Sequence, residues 1–247
     1  MEYRLLHLER RGDVFILTLC NGDENRLNVA LCQEIIRALG YVRDQFGQGP
    51  GALIVRGNNA KFFTNGVDLE EVATNPHAGP DGFYPTCLIT KLLHAVLDFP
   101  FPTIAVVTGH TFGGGCPFSL AFDYRIMNSE RGFFCMPAVD LGMHFPGIGS
   151  LLKSKLSPQI ARQVLLEGHR FTGKEALEAG IVDAAVSPDR MFDLALEWAD
   201  KWKVKAAAGV YGLLREELHL EPLMRLRNVS YVHHPQTRLP KPQEPKL

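Results

Sequence analysis

The stretch Gly109–Met127, which reads GHTFGGGCPFSLAFDYRIM, decides the fold of this chain. The β-branched and apolar residues 103–107 come directly before it and predict a buried strand. Residues 117–122 follow its three glycines and predict the first turns of a helix. A glycine turn between a strand and a helix leaves backbone N–H groups free at the positive end of the helix dipole. Such a turn suits a phosphate or a carbonyl oxygen that becomes an enolate, but it is also an ordinary way to join a strand to a helix.

Three further segments carry a recognisable pattern. Phe62–Leu69 reads FFTNGVDL, Arg131–Ser150 reads RGFFCMPAVDLGMHFPGIGS, and Gly173–Asp183 reads GKEALEAGIVD. Together with Gly109–Met127, and in this order over nearly the whole chain, they resemble the signature of the crotonase superfamily of enoyl-CoA hydratases and isomerases. Within that superfamily the chain is most similar to the peroxisomal isomerases that move a double bond from position 3 to position 2.

Predicted strands and helices alternate, which indicates an α/β fold with a sheet covered by helices. Strands are predicted at 14–19, 52–55, 103–107, 123–127, 132–136 and 181–183, and helices at 29–39, 84–99, 147–156, 158–167, 173–180, 188–203 and 206–219. The resemblance implies a crotonase-type ββα spiral over residues 1–187. It also implies a helical C-terminal portion over 188–235 that packs into homotrimers, often paired into hexamers. Residues 236–247 are expected to form a disordered tail.

The composition excludes several classes of protein. The chain has 247 residues, a net charge of -1 and 46% hydrophobic residues, as is ordinary for a globular enzyme. Lys and Arg are spread out and balanced by acids, so no nucleic-acid surface is predicted. No run reaches the roughly 18 apolar residues that a membrane span needs. Five scattered cysteines without CxxC spacing favour reduced thiols over a disulfide frame. We expect no metal site and no cofactor other than the coenzyme A of the substrate.

The C-terminal tripeptide Pro245-Lys246-Leu247 resembles the SKL-type peroxisomal address. Residues 240–244 before it are rich in proline and charge and would keep it extended and accessible to an import receptor. The alternative is a chance tripeptide on a disordered tail. The expected location is the peroxisome.

The resemblance assigns the substrate contacts. It implies that the backbone N–H groups of Val67 and Gly114 point at the thioester oxygen of an acyl-CoA, which gains negative charge when a proton leaves the adjacent carbon. The implied substrate-binding residues are Arg26, Leu27, Lys61, Thr64, Asn65, Gly66, Val67, Asp68 and Gly114. Arg26 and Lys61 are candidate phosphate partners, although each could equally be a solvated surface cation. Asp68 is expected to cap or brace the loop that holds Val67.

Both glutamates that the superfamily uses for proton transfer are missing. Its hydratases carry one Glu directly after the GGGC segment and another after the Pro of the later FxxP segment, and its isomerases usually keep only the second. The corresponding residues here are Pro117 and Ala138, neither of which can carry a proton. Their absence argues against hydration and puts the usual isomerase mechanism in doubt.

Asp140 and His144 are the candidate replacements for the catalytic base. If the segment is extended, Asp140 lies on the same side as Ala138 and about 7 Å further along. Many members of the superfamily have Asp here alongside their Glu, which favours a structural role for it. His144 has a side chain suited to moving protons near neutral pH. Cys116 borders the glycine turn, but it lacks a partner at triad spacing, which favours a packed thiol.

The predicted function is therefore that of an enzyme of fatty acid oxidation, isomerising 3-enoyl-CoA to 2-enoyl-CoA through a stabilised enolate. Three alternatives stay open. The first is another reaction on the same fold that needs no Glu, such as decarboxylation of a malonyl-type thioester or a specialised biosynthetic step. The second is a non-catalytic acyl-CoA-binding member. The third is that Ala138 is an engineered replacement of Glu.

Overall fold

The computed structural model describes residues 2–74 and 84–228, in which strands and helices alternate. The strands are β1 (Leu6–Arg11), β2 (Val14–Leu19), β3 (Ala52–Gly57), β4 (Phe62–Thr64), β5 (Thr103–Val107), β6 (His110–Phe112), β7 (Tyr124–Asn128), β8 (Phe134–Cys135) and β9 (Ala184–Val186). The helices are α1 (Val29–Phe46), α2 (Leu69–Thr74), α3 (Tyr84–Leu97), α4 (Gly115–Leu120), α5 (Ile148–Lys155), α6 (Pro158–Leu166), α7 (Gly173–Glu178), α8 (Pro188–Trp202), α9 (Val210–Leu218) and α10 (Leu220–Asn228). A short 3-10 helix covers Lys203–Ala206.

The strands form two sheets that the chain visits in turn. The larger has the order β1-β2-β3-β5-β7-β9, and the smaller has the order β4-β6-β8. Only the β1–β2 pair is antiparallel among the described pairs of the larger sheet. Each of the successive pairs β3–β4, β5–β6 and β7–β8 places one strand in each sheet before the chain enters a helix. The predicted α/β class and the repeated ββα path are confirmed.

Two apolar layers hold the larger sheet. On one side α1 buries Leu31, Ile35 and Leu39, the residues that predicted its inner face. The Asn28 side chain accepts a hydrogen bond from the Leu31 N–H and caps this helix. On the other side α8 packs Met191, Ala195 and Ala199 against isoleucines of the strands, which are Ile16, Ile54, Ile104 and Ile126. The sheet is therefore covered by helices on both faces, as parallel strands require.

The C-terminal helices are anchored to the body by one buried arginine. Arg215 of α9 is 4% exposed, and its Nε donates to Asp123 Oδ1 at 2.8 Å. Its other nitrogens donate to the carbonyls of Val96, Phe99 and Ala121 and to the Thr103 hydroxyl. Because the guanidinium is surrounded by acceptors, α9 has a fixed position on the body.

Several sequence predictions on local structure were wrong. The strand predicted at 181–183 is a bend, and β9 begins at Ala184, because the N–H groups of Ile181 and Val182 donate to the Ala176 carbonyl at 2.8 and 3.2 Å. The helix predicted at 206–219 begins only at Val210, since Ala208 and Gly209 both have positive φ. The short strands β1, β4 and β6 were not predicted.

Two predictions concern the C-terminal part of the chain. The boundary between residues 187 and 188 stays a prediction, and α8, which follows it, packs directly on the larger sheet. Residues 229–247, with the predicted tail 236–247 and its Pro245-Lys246-Leu247 tripeptide, lie outside the described residues. Among the described helices, none is both long enough and apolar enough to cross a membrane.

Candidate active site

A cavity of about 290 Å³ opens where the glycine turn after β6 meets the loop after β4. Most of its wall is apolar. The lining residues are Arg26, Asn65, Val67, Leu69, Phe112, Gly113, Gly114, Cys135, Pro137, Ala138, Leu141, Met143, Phe145 and Arg170. A cavity of this size, with a few polar groups in an apolar wall, is suited to a small organic group.

Val67 and Gly114 come together in this wall. A Cβ on Gly114 would lie 2.8 Å from Val67 Cγ2 and 3.5 Å from Val67 N. Gly66 makes the approach possible because it has φ near 80°, and a Cβ there would lie 2.4 Å from the Phe112 carbonyl oxygen. The two glycines let the two loops touch backbone to backbone.

The pairing of its loop with Leu27 leaves the N–H of Val67 without a hydrogen-bond acceptor among the described residues. Leu27 N donates to the Gly66 carbonyl at 2.7 Å, and Asp68 N donates to the Leu27 carbonyl at 3.3 Å. This single parallel bridge uses the groups on either side of Val67. Within the described part of the chain, the Val67 N–H makes no hydrogen bond of its own.

The N–H of Gly114 also lacks a hydrogen-bond acceptor among the described residues. Gly113 has φ 52° and donates its N–H to the Cys135 carbonyl at 3.0 Å, and Cys116 N then donates back to the Gly113 carbonyl. Helix α4 begins at the next residue, so Gly114 precedes its first turn. No described residue accepts the Gly114 N–H. Two unused N–H donors therefore lie side by side on the cavity wall, an arrangement that can bind a negatively charged oxygen.

The two candidate bases, Asp140 and His144, do not line the cavity. Of the two positions where the superfamily has Glu, Ala138 lines the cavity, whereas Pro117 is buried in α4. Residues 137–142 form a turn, in which Met143 N donates to the Ala138 carbonyl at 2.8 Å. The extended segment assumed for Asp140 was therefore wrong. The Asp140 carboxylate is exposed and lies against Gly168, and His144 is exposed in the loop that follows. Neither side chain lines the cavity, and no described carboxylate does.

The predicted substrate contacts divide into two groups. Arg26, Asn65, Val67 and Gly114 line the cavity, while Leu27, Lys61, Thr64, Gly66 and Asp68 do not. Among the second group, Thr64 is fully buried, and its hydroxyl donates to the Asn25 carbonyl at 2.6 Å. Asp68 accepts the N–H groups of Glu70 and Glu71 and so caps α2, as the sequence predicted. Lys61 is exposed at the start of β4.

Two polar residues of the wall were not predicted. Cys135 is buried, and its thiol donates to the Gly168 carbonyl at 3.3 Å. Burial raises the pKa of this thiol, and the Arg170 guanidinium beside it opposes the rise. Arg170 reaches the cavity because Phe134 and Phe171 pair with each other through two hydrogen bonds of 2.9 Å. That pairing joins distant parts of the chain, so no local sequence signal could have indicated it.

Cys116 is a packed thiol, the interpretation that the sequence favoured over a nucleophile. It is fully buried and donates to the Thr111 carbonyl at 3.3 Å. Burial raises its pKa well above the ordinary value, so it stays protonated and unreactive. Cys20, Cys32 and Cys135 are also free thiols, and no described residues form a cluster that could hold a metal ion.

Comparison with known proteins gives consistent matches. Residues 9–233 match the family model described as enoyl-CoA hydratase/isomerase. Enoyl-CoA delta isomerase 3 of Arabidopsis thaliana is 33% identical over 220 residues, which cover 87% of this chain and 92% of the relative. Enoyl-CoA delta isomerase 2, peroxisomal, of the same plant is 32% identical over 228 residues, with the same coverage of 87% and 92%. Human mitochondrial delta3-delta2-enoyl-CoA isomerase shares the fold, with a TM-score of 0.84 at 21% identity over 91% of this chain and 87% of that chain.

Proposed function

Because the chain belongs to the enoyl-CoA hydratase/isomerase family, we propose that it binds acyl-CoA thioesters in this cavity and isomerises 3-enoyl-CoA to 2-enoyl-CoA. The observation that carries the proposal is the pair of unused N–H groups of Val67 and Gly114 on an otherwise apolar wall. The delta isomerases among the relatives support the choice of reaction.

The N–H pair would act on the thioester oxygen. When a proton leaves carbon 2 of the substrate, negative charge moves to this oxygen and forms an enolate. Two fixed donors bind that charge more strongly than they bind the neutral thioester, and one such donor contributes about 3 kcal/mol to lowering the barrier. With a substrate in the cavity, the apolar side chains around the donors would leave little room for water, which strengthens the interaction.

The cavity wall has no carboxylate from the described residues to carry the proton. Isomerisation moves a proton from carbon 2 to carbon 4, yet the cavity wall has Ala138 where the family has Glu. Asp140 and His144 remain the proposed bases, and both lie within six residues of Ala138 in the chain. Each would have to move to reach the substrate, so we expect slow turnover. Asp140→Asn and His144→Gln are the variants that would identify the base.

Decarboxylation of a malonyl-type thioester is the second candidate function. It is favoured by one observation, that no described carboxylate lines the cavity. In this reaction the bond between carbon 2 and the carboxylate breaks, its electron pair forms the enolate, and water returns a proton to carbon 2. The N–H pair would be used in the same way, but no base would be needed.

The coenzyme A contact, the location in the cell and the assembly state are also proposals. Arg26 would bind a phosphate of coenzyme A, and no other cofactor is required. The peroxisomal relative and the C-terminal tripeptide support a peroxisomal location through an import receptor. Exposed apolar side chains on α9 and α10 support assembly into a homotrimer or hexamer; they are Val210, Leu213, Leu214, Leu218, Leu220 and Met224.

The test is turnover of 3-hexenoyl-CoA, followed by the absorbance of the conjugated 2-enoyl product. We expect slow but measurable turnover by the chain itself and faster turnover by Ala138→Glu. If neither protein turns over this substrate, the isomerase proposal fails, and release of carbon dioxide from malonyl-CoA tests the second candidate. Binding of thioesters without either reaction would indicate an acyl-CoA-binding protein.

A further inference from the structure

The cavity has an arginine on each side of the N–H pair. The order of the smaller sheet is β4-β6-β8, and Gly114 follows the central strand β6. Arg26 lies on the β4 side, since Leu27 pairs with Val67 in the loop after β4. Arg170 lies on the β8 side, next to the Phe171 that pairs with Phe134. A thioester whose oxygen is held between them would therefore extend toward a cation in both directions.

The two arginines differ in how their charges are compensated. Arg26 Nε lies 2.6 Å from Glu24 Oε2, and its Nη1 lies 3.7 Å from Asp68 Oδ1. Arg170 forms no ion pair with any residue of the ranges 2–74 and 84–228. Its neighbour on the cavity wall is the Cys135 thiol, which is neutral because burial raises its pKa. Arg170 is exposed, and no described acidic side chain pairs with its charge, so the guanidinium is open to a ligand as well as to solvent.

Further positive charges lie around His110, outside the cavity lining. Burial lowers the pKa of His110, which stands at the start of β6. The charges of Arg131, Lys61 and Arg170 lower this pKa further. A carboxylate on this side of the apolar cavity would give up part of its water, and a charged partner would offset that cost. A guanidinium is well suited, because its fork of N–H groups matches the two oxygens of a carboxylate.

From these contacts we propose that Arg170 binds a carboxylate carried by the acyl group, so that the substrates are CoA thioesters of dicarboxylic acids. The inference rests on the proposed function, since it assumes that an acyl-CoA occupies the cavity with its thioester oxygen on Val67 and Gly114. The apolar side chains between Gly114 and Arg170 would pack on the carbon atoms of the acyl chain. The phosphates of coenzyme A would remain on the Arg26 side.

The experiment is a set of calorimetric binding measurements on the full chain. The ligands are butyryl-CoA, whose acyl group ends in a methyl, and malonyl-, succinyl- and glutaryl-CoA. In these last three the carboxylate lies at an increasing distance from the thioester. We expect at least one of the three to bind about 10-fold or more tightly than butyryl-CoA, as a charge-assisted hydrogen-bonded pair allows. The chain length with the strongest preference gives the distance from the thioester to Arg170.

Two variants separate the possible roles of the arginines. Arg170→Gln should abolish the preference for the carboxylate ligand, by weakening that ligand about 10-fold more than it weakens butyryl-CoA. The matched control, Arg26→Gln, should weaken all four ligands by a similar factor and keep the preference. Arg170→Lys should keep part of the preference, because the charge remains while the fork is lost.

Three results would overturn the inference. If butyryl-CoA binds as tightly as the three dicarboxylic thioesters, the cavity takes plain acyl groups and only the inference fails. If Arg170→Gln weakens all four ligands equally, Arg170 binds coenzyme A rather than the acyl group. If none of the four ligands binds, the proposed function fails as well.

Discussion

Gly114 and Val67 approach so closely that a methyl group on Gly114 would lie 2.8 Å from Val67 Cγ2. Gly114→Ala should therefore push the two loops apart and misplace one or both N–H donors. Loss of one such donor lowers kcat by about 100- to 1,000-fold in other enzymes, and we expect a decrease of that order. The rate on 3-hexenoyl-CoA is best measured in the Ala138→Glu background, where turnover is faster.

A matched glycine controls for the added methyl group. Gly149 lies in α5, and a Cβ there would have no atom within 4 Å. Gly149→Ala should leave kcat unchanged. Equal activity of the Gly114→Ala and Gly149→Ala proteins would show that the close contact does not matter for the reaction.

Restoring a carboxylate at Ala138 should supply the missing base. The residue lines the cavity and is 9% exposed, so a longer side chain there would extend into the space for the substrate. General acid–base catalysis contributes about 100- to 10,000-fold, and Ala138→Glu should raise kcat for 3-hexenoyl-CoA within this range. Ala138→Gln has nearly the same shape but cannot carry the proton, so it should give no increase. A similar gain from both variants would mean that packing, not proton transfer, limits the rate.

The cavity shows which parts of such a site can be predicted from sequence. The sequence placed Val67 and Gly114 together on the wall because each belongs to a local motif that fixes its backbone. Asp140 was placed wrongly because the hydrogen bond from Met143 N to the Ala138 carbonyl bends the segment into a turn. Arg170 was missed because it reaches the wall through the bridge between Phe134 and Phe171, which are far apart in the chain. Local patterns thus specify the backbone donors, whereas tertiary contacts decide which side chains share the cavity.

Exposed leucines on α9 should be required for assembly. Leu214 and Leu218 are 65% and 74% exposed and lie one helical turn apart on α9. The double variant Leu214→Glu/Leu218→Glu should shift the mass measured by light scattering from an oligomer to the monomer. Leu166→Glu on α6, where the leucine is 67% exposed, is the control and should leave the mass unchanged. An unaltered mass in the double variant would exclude this face from the interface.

The ion pair between Arg215 and Asp123 should be important for stability. The two side chains are 4% and 13% exposed, so Arg215→Met would leave the Asp123 charge buried without its guanidinium. Removal of one member of a buried pair costs about 3–5 kcal/mol in the free energy of unfolding. Urea unfolding should show a loss of this size. Arg190→Met breaks a pair with Glu197 whose members are 52% and 54% exposed, and it should change the free energy by less than about 1 kcal/mol.

Lys155 should make the stability depend on pH above neutrality. It lies next to this ion pair, with its Nζ 3.3 Å from the Phe122 carbonyl oxygen. Burial, aided by the charge of Arg125, lowers its pKa from 10.5 to about 7. Between these two values the unfolded chain binds a proton that the folded protein lacks, so the free energy of unfolding should rise with pH. Below about pH 7 both states carry the proton, and the full cost of burying the charge is present.

The variant Lys155→Met isolates this contribution. Its free energy of unfolding should rise less between pH 7 and 9.5 than that of the parent chain, because it has no amine to lose its proton. The raised pKa values of the Cys32 and Cys116 thiols act in the opposite direction near pH 9, but they do so in both proteins and cancel in the difference. Urea unfolding at several pH values measures that difference, and parallel curves for the two proteins would show that Lys155 stays protonated in the folded state throughout this range.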